Sequence, residues 1–353
     1  MPEEFRCLLV HSADATGAAK TAASGGNAPT GDVPGRGTPR TAAEIVRLPA
    51  SRLPAGEVLL RVGYSALNYK DALAYQGHPG VVKHLPHVPG IDAAGTVLAS
   101  SDPRLSVGQE VIVTGYELGQ SVWGGWSELI RVPAAWVIPL PEGLSLREAM
   151  IYGTAGFTAA QSVMALQRND VAADSGEVVV TGATGGVGSL AVRLLAHLGY
   201  RVVAVTGKRD QHAELLQLGA HRVLSRDEVC DASERPLLSA RWAGAVDTVG
   251  GELLNGLLRA THYGGCVTAC GLVAGPQLDL TVYPFLLRGI SLCGVASADC
   301  PAGKRHKIWD LLAGQWKLPN LSQWVTEVGL EELPGQVERI SRGQVVGRVI
   351  VGL

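Results

Sequence analysis

The sequence predicts an α/β protein in two parts, a β-rich first half followed by a doubly wound parallel sheet. Three observations carry that expectation. Short Val/Ile/Leu runs punctuated by Gly and Pro fill the chain before residue 145, alternating strand-length and helix-length pieces follow Leu144, and a glycine-rich turn joins one of those strands to an amphipathic helix. At 353 residues the chain exceeds one usual domain, so two domains, each with its own core, are the natural division.

The first strand is expected at Phe5 to Val10. Residues Ser12 to Arg40 are dominated by Ala, Gly, Ser, Thr and Pro, with almost no large apolar side chains to offset the entropy of ordering, so they are expected to form a mobile insertion. Strands are expected at Val58 to Val62, Gly95 to Leu98, Glu110 to Thr114 and Glu128 to Val132, as a small barrel or sandwich. A helix near Leu146 to Gln167 opens the second part. It continues with a strand at Glu177 to Thr181, a helix at Gly186 to Leu198, and strands at Arg201 to Val205, Arg222 to Leu224, Ala245 to Thr248, Gly265 to Cys270 and Ser291 to Gly294. Helices near Lys304 to Gly314 and Leu333 to Ser341 precede an apolar ending, Gly347 to Val351, suited to a strand that rejoins the first domain. The expected domains are therefore 1–145, 146–300, and a returning segment 301–353.

Composition excludes several function classes. With 30 basic and 32 acidic residues, a formal charge of -2 and the two signs interspersed, no basic stripe attracts nucleic acid or anionic lipid, so a small-molecule substrate is expected. Glu3 and Glu4 stand where a secretory leader carries cations, and no apolar run is long enough to span a bilayer, which reads as a soluble, cytoplasmic protein. The six scattered cysteines suit reduced thiols, and Cys266 and Cys270 do not form a CxxC pair.

The chemistry begins at Val178-Val179-Val180, which runs into Thr181-Gly182-Ala183-Thr184-Gly185-Gly186-Val187-Gly188 and then a helix with Ala191, Leu194, Leu195 and Leu198 on one face. At a strand-to-helix turn, glycines let the backbone approach a pyrophosphate, whose charge meets free N–H groups at the helix N-terminus. Ala183 replaces the first glycine of the usual GxGxxG pattern. At the end of the next strand, where an NAD enzyme presents a carboxylate to the ribose hydroxyls, stand Thr206-Gly207-Lys208-Arg209. A carboxylate repels the extra phosphate of NADPH, whereas a hydroxyl and cations hold it, so NADPH is expected over NADH.

Leu67-Asn68-Tyr69-Lys70-Asp71, Val88 to Val97, Thr114-Gly115 through Trp123-Gly124-Gly125, Gly153 to Ala159, Ala245 to Gly250 and Pro284 to Gly289 appear in order along the chain. Together with the phosphate turn they resemble the quinone oxidoreductase-like branch of the medium-chain dehydrogenase/reductase family, closest to its NADPH-dependent acryloyl-CoA reductase group. The resemblance covers Leu53 to Val351. It implies a GroES-like catalytic domain, a Rossmann NADP-binding domain, and a nicotinamide lying in the cleft between them. Many relatives hold a catalytic zinc, but here Asn68-Tyr69-Lys70-Asp71 and Gly90-Ile91-Asp92 replace the segments that carry its ligands. The four-cysteine structural loop is missing, and His84 and His87, flanking Pro86, lack thiolate companions, so no metal is expected. Without a Lewis acid, reduction of a polarised alkene is favoured over alcohol dehydrogenation.

The resemblance also implies the site residues. Tyr69 lines the cofactor site and is the candidate donor for an enolate, with solvent as the rival proton source and a packed aromatic beside the cleft as the plainer reading, and with Asn68, Lys70 and Asp71 fixing its loop. A Lys70–Asp71 surface bridge is the plainer alternative for that pair. Thr184, Gly185, Gly186 and Val187 fall at the pyrophosphate, Thr206, Gly207 and Lys208 at the adenosine phosphate, and Arg226 matches a cofactor-binding arginine. Leu272, Leu286 and Ser297 match positions near the nicotinamide and its ribose, although the two leucines equally suit a core. Arg348 is expected to reach the cofactor or the substrate, and Gly343 replaces a common asparagine, whose contact is lost or supplied by Gln344. The expected function is NADPH-dependent reduction of a small α,β-unsaturated acyl-CoA, acryloyl-CoA to propanoyl-CoA. A quinone, alkenal or enone reductase is the alternative, and a non-catalytic nucleotide-binding protein a second one. Relatives pair through an edge strand near Ser291 to Gly294, which implies a homodimer.

Overall fold

The computed structural model describes residues 2–13 and 40–353. The interior of the expected insertion lies outside the described residues. Its ends do not: β1 (Glu4–Ser12) pairs antiparallel with β2 (Thr41–Pro49) from Glu4 against Pro49 to Ser12 against Thr41, and Ala13 donates to the Arg40 carbonyl. Strand β2 is not legible as a strand because none of its residues is fully buried, so its sequence shows no apolar alternation.

The chain divides into two compact units. The first comprises Met1–Thr154, Pro301–His306 and Leu321–Leu353. Its central strand is β3 (Val58–Leu67), longer than sequence alone suggests, followed by α1 (Tyr69–Tyr75), β4 (Asp92–Ser100), β5 (Glu110–Thr114), β6 (Leu129–Val132) and β7 (Ile138–Pro139). Strand β3 pairs antiparallel with β4 along most of its length and with β6 at its start. Its alternating side chains serve two cores. Val58, Leu60 and Val62 pack with Val97, Val111, Val113, Ile130 and Val132, while Leu59 and Leu67 turn to the cluster of Phe5, Leu8 and Trp126.

Helix α2 (Leu146–Arg168) starts at a capping box: the Ser145 N–H donates to the Glu148 carboxylate at 2.9 Å, and the Glu148 N–H to the Ser145 hydroxyl at 3.2 Å. Gly153 interrupts it with φ 48° and ψ -155°. The units separate one residue later, after Thr154, rather than before Leu146 as sequence texture suggests.

The second unit, Ala155–Cys300 with Lys307–Asn320, is a six-stranded parallel sheet. In chain order it contains β8 (Glu177–Thr181), α3 (Gly186–His197), β9 (Arg201–Val205), α4 (His212–Gln217), β10 (Arg222–Leu224), β11 (Trp242–Asp247), α5 (Gly251–Ala260), β12 (Thr261–Ala269), α6 (Tyr283–Arg288) and β13 (Ser291–Gly294). The spatial order β10-β9-β8-β11-β12-β13 reverses between β8 and β11, the switch point at which such sheets bind dinucleotides beyond the strand ends. Val178, Val179 and Val180 are all fully buried, because helices cover both faces, and a continuous apolar run replaces alternation.

After residue 300 the chain serves both units. Helix α7 (Ala302–Ala313) carries Trp309 to within 6.1 Å of the Phe157 ring, and Arg193 donates to the carbonyls of Pro319 and Asn320 at 3.0 and 2.9 Å. Those contacts give Lys307–Asn320 to the second unit, where sequence alone assigns the whole tail to the first. Strands β14 (Val325–Val328) and β15 (Arg348–Gly352) flank α8 (Leu333–Ser341), and β15 pairs antiparallel with β3, Val349 against Leu67. Gly343, at φ 67° just beyond α8, donates to the Ile340 carbonyl at 3.0 Å. An asparagine also tolerates that left-handed conformation, so the Gly/Asn exchange reads as a helix terminus.

No described helix is long and apolar enough to cross a membrane.

Candidate active site

In the first unit the loop between β3 and α1 is held by charge buried beneath it. Asn68 caps α1, which leaves Tyr69 in the first helical turn, 44% exposed, with no hydrogen bond to its hydroxyl among the described residues. Asp71 is fully buried. One carboxylate oxygen accepts the N–H groups of Ile91 (2.8 Å) and Gly90 (3.2 Å), and the other accepts the Asn68 N–H (2.7 Å) and side-chain amide (3.2 Å). Burial, then the neighbouring Asp92, push its carboxyl up to about 7. The surface bridge to Lys70 is not formed. Asp71 turns inward because four donors await it there, and a buried carboxylate is tolerated only when so satisfied.

Arg348 contacts the same loop. Its side chain is buried, with Nε on the Ile151 carbonyl (2.9 Å), Nη1 on the Leu67 carbonyl (3.3 Å) and Asn68 Oδ1 (3.2 Å), and Nη2 on the Met150 carbonyl (3.4 Å). A guanidinium with four backbone and side-chain acceptors ties the loop to the chain behind it. Sequence reasoning assigned no role to Asp92 or Thr154, which complete this cluster. The Thr154 hydroxyl donates to Asp92 Oδ1 at 2.6 Å, and the Asn68 amide to Asp92 Oδ2 at 2.8 Å. The available signal was a carboxylate set between Ile91 and Ala93 at the head of an apolar strand, since a buried charge requires partners.

In the second unit, the glycine-rich turn leaves β8 at the switch point and enters α3. Gly182 adopts φ 57°, and a Cβ on Gly188 would lie 2.2 Å from the Gly182 carbonyl oxygen. Those two glycines supply the sharp turn and the close helix approach, so a fully buried Ala183 is accommodated between them. The first intrahelical bond runs from Ser189 back to Gly185, which leaves the N–H groups of Gly186, Val187 and Gly188 without helical acceptors. Behind the turn, the Thr181 hydroxyl donates to the buried Asp247 carboxylate at 2.7 Å, and the Gly250 N–H at 2.8 Å. The Thr248 hydroxyl donates to the Thr181 carbonyl at 2.9 Å, which joins the ends of β8 and β11. Burial holds the Asp247 carboxyl above its usual range.

At the end of β9, Thr206 is buried, its hydroxyl accepts the Lys208 N–H at 3.1 Å, and it lies 3.4 Å from the Thr184 hydroxyl. Lys208 is half-buried, ahead of a short helical turn that begins at Arg209. Arg226 comes from the loop after β10, exposed, its guanidinium about a van der Waals contact from where a Gly207 side chain would start (Nε at 3.4 Å). Thr184, Thr206, Gly207, Lys208 and Arg226 are thus brought together, with no carboxylate at the strand tip. Leu272 and Leu286 are 62% and 74% exposed, which rejects the core alternative, while Ser297 is half-buried. Among the described residues no group of three or more His, Cys, Asp or Glu side chains is arranged to hold a metal ion. His87 is buried, and burial lowers its pKa.

Residues 54–142 match the alcohol dehydrogenase GroES-like domain, and residues 186–313 match the zinc-binding dehydrogenase family. The chain is 50% identical over 302 residues to the putative quinone oxidoreductase YhfP of Bacillus subtilis, covering 85% of this chain and 92% of that protein. It is 48% identical over 312 residues to the probable acrylyl-CoA reductase AcuI of Escherichia coli, covering 88% and 96%. The chain belongs to the quinone oxidoreductase-like branch of the medium-chain dehydrogenase/reductase family. Within that family, Escherichia coli YHDH with bound NADPH superposes with a TM-score of 0.86 at 48% identity, over 89% of this chain and 96% of that one. Bacillus subtilis yhfP with NAD bound gives 0.90 at 43%, over 99% of each chain. The two-part architecture expected from sequence, a GroES-like domain and a Rossmann domain, is that of the family.

Proposed function

We propose that this oxidoreductase uses NADPH to reduce the carbon–carbon double bond of a small α,β-unsaturated acyl-CoA, converting acryloyl-CoA to propanoyl-CoA. The observation that carries the cofactor assignment is the carboxylate-free tip of β9, where Thr206 and Lys208 flank Gly207 and the Arg226 guanidinium stands beside that glycine. A hydroxyl, an ammonium and a planar guanidinium match a phosphate monoester in charge and hydrogen-bonding capacity, and a ribose bearing free hydroxyls gains little from them. The turn at Thr184 to Val187 fits a pyrophosphate by the same test, since Gly188 allows close approach and the first N–H groups of α3 have no helical acceptors. Leu272, Leu286 and Ser297 take the nicotinamide and its ribose.

Bound NADPH supplies a hydride. The protein must then stabilise the enolate that forms on the acyl thioester and see its α-carbon protonated. Tyr69 presents a phenol with no hydrogen-bond partner among the described residues, and Asn68 and Asp71 hold its loop, so donation from this hydroxyl is the role we assign it. Asn68, Asp71 and Arg348 position that loop, and no step passes through a metal ion.

The named relatives support two acceptor classes, acrylyl-CoA for one and quinone for the other. Rates with acryloyl-CoA, a simple enone and a quinone, each measured with NADPH and with NADH, decide between them. The proposal expects acryloyl-CoA with NADPH to be fastest. A faster quinone or enone transfers the site to the alternative class, and NADPH binding without oxidation by any acceptor makes the chain a nucleotide-binding protein only. We further propose a cytoplasmic homodimer: all six cysteines are free, and β13 ends its sheet with one edge open to pairing.

A further inference from the structure

Asp92 opens β4, and three separate stretches of chain converge on its buried carboxylate. From the loop before α1, the Asn68 amide donates to Oδ2 at 2.8 Å. From α2, Thr154 donates its N–H to both oxygens at 3.0 Å and its hydroxyl to Oδ1 at 2.6 Å. From β15, Arg348 Nη2 stands 4.0 Å from Oδ2. The break in α2 belongs to the same arrangement, since a Cβ on Gly153 would lie 2.6 Å from Asp92 Oδ2 and 2.9 Å from Arg348 Nη2.

These contacts leave Asn68 one orientation. Its Oδ1 faces Arg348 at 3.2 Å and its Nδ2 faces Asp92 and Asp71, so a flipped amide sets donor against donor and acceptor against acceptor. We propose that Asp92 is a positioning residue for hydride transfer, fixing Asn68, and with it Tyr69 at the start of α1, against the Gly153–Thr154 break in α2. This rests on the reading of the Tyr69 loop as catalytic. Among the described residues, the charged groups facing Asp92 are Asp71 from α1 and Arg348 from β15, and α2 contributes only Thr154 and backbone. Asp92 in turn raises the Asp71 carboxyl, so its removal is legible in the titration of a neighbour.

The test is Asp92→Asn, which keeps the volume but places an NH2 among donors. A displacement of about 1 Å costs up to about 10²-fold in rate, so kcat is expected to fall at least about tenfold, while NADPH affinity, measured by fluorescence, stays within about twofold. The Asp71 midpoint, followed by carbon NMR of carboxyl-labelled aspartate, moves down once the adjacent negative charge is gone. Thr154→Val, which deletes one hydroxyl bond and keeps the charge, lowers kcat less and leaves the Asp71 midpoint in place. Should Asp92→Asn not fold, Thr154→Val carries the test, and an unchanged kcat there overturns the inference. A folded Asp92→Asn with wild-type kcat, or with an unmoved Asp71 midpoint, also overturns it. If the wild-type protein reduces no acceptor, the functional reading fails separately. The Tyr69 ring resonances, assigned through Tyr69→Phe, then decide: a shift in Asp92→Asn supports positioning, and identical signals refute it.

Discussion

In the proposed function, Lys208 and Tyr69 each carry one separable part of the chemistry. A charge-assisted hydrogen bond contributes about 1.5–3 kcal/mol, so Lys208→Ala is expected to raise the KM for NADPH about 10- to 100-fold. The KM for NADH stays within about twofold, because the unphosphorylated ribose makes no demand on that ammonium. Steady-state titration with both nucleotides measures the ratio, and equal effects on the two refute the phosphate assignment. For Tyr69, proton or hydrogen-bond donation to the enolate contributes on the order of 10²-fold, so Tyr69→Phe lowers kcat by that order and leaves NADPH affinity intact. A kcat equal to wild type reduces Tyr69 to an aromatic wall. The residues divide by how near along the chain their partners lie. Thr184, Thr206 and Lys208 lie at a glycine-rich turn or a strand tip, where local pattern points to them, whereas Arg226 was singled out through the family resemblance. The partners of Arg348 were not legible, because its acceptors at Ile151, Leu67 and Met150 are brought to it only by folding.

The turn between β8 and α3 works as an element because its two ends touch. With a Cβ only 2.2 Å from the Gly182 carbonyl oxygen, Gly188→Ala forces the first turn of α3 away from β8, at about 1–3 kcal/mol for overpacking. NADPH affinity is expected to fall at least about tenfold with a lower Tm, since the N–H groups aimed at the pyrophosphate are displaced. A calorimetric titration showing wild-type affinity contradicts this account of the turn. Strands β8, β9, β11 and β12 of the parallel sheet were legible because each contains a buried, mostly apolar run bounded by turn residues. Helices α1, α4, α5 and α6 were not assigned: at six to ten residues each is short, and packing rather than periodicity stabilises them.

Across the whole molecule, two buried groups in the first unit make stability depend on pH in opposite senses. Asp71, at about 7 in the fold against an ordinary 3.8, adds stability that is full below pH 3.8 and lost as the pH rises through about 7. His87, lowered from 6.5 by burial, acts the other way: below that pH the unfolded chain takes up a proton that the folded one resists, so acid weakens the fold. Urea unfolding between pH 7.5 and about 5 is expected to show a shallower acid decline in His87→Gln and a steeper one in Asp71→Asn than in wild type. Identical slopes in all three proteins exclude these groups as the source. At the same scale, sedimentation is expected to find a dimer, and a charged substitution at Leu292 on the open edge strand to yield monomer. A wild-type monomer at micromolar concentration removes the pairing proposal.

Periodicity, glycine placement and the missing acid after β9 are local properties, carried by residues within a few positions of one another, and these specified the two-part architecture, the glycine-rich turn and the carboxylate-free strand tip. Long-range packing decided the rest. The return of β15 onto β3 brings Arg348 to Asn68, the break at Gly153 brings Thr154 to Asp92, and the loss of water around that cluster turns four ordinary polar residues into a single charge-linked support for Tyr69. Burial is a property of the assembled chain, so no linear pattern discloses which carboxylates will lie in water and which will need partners inside.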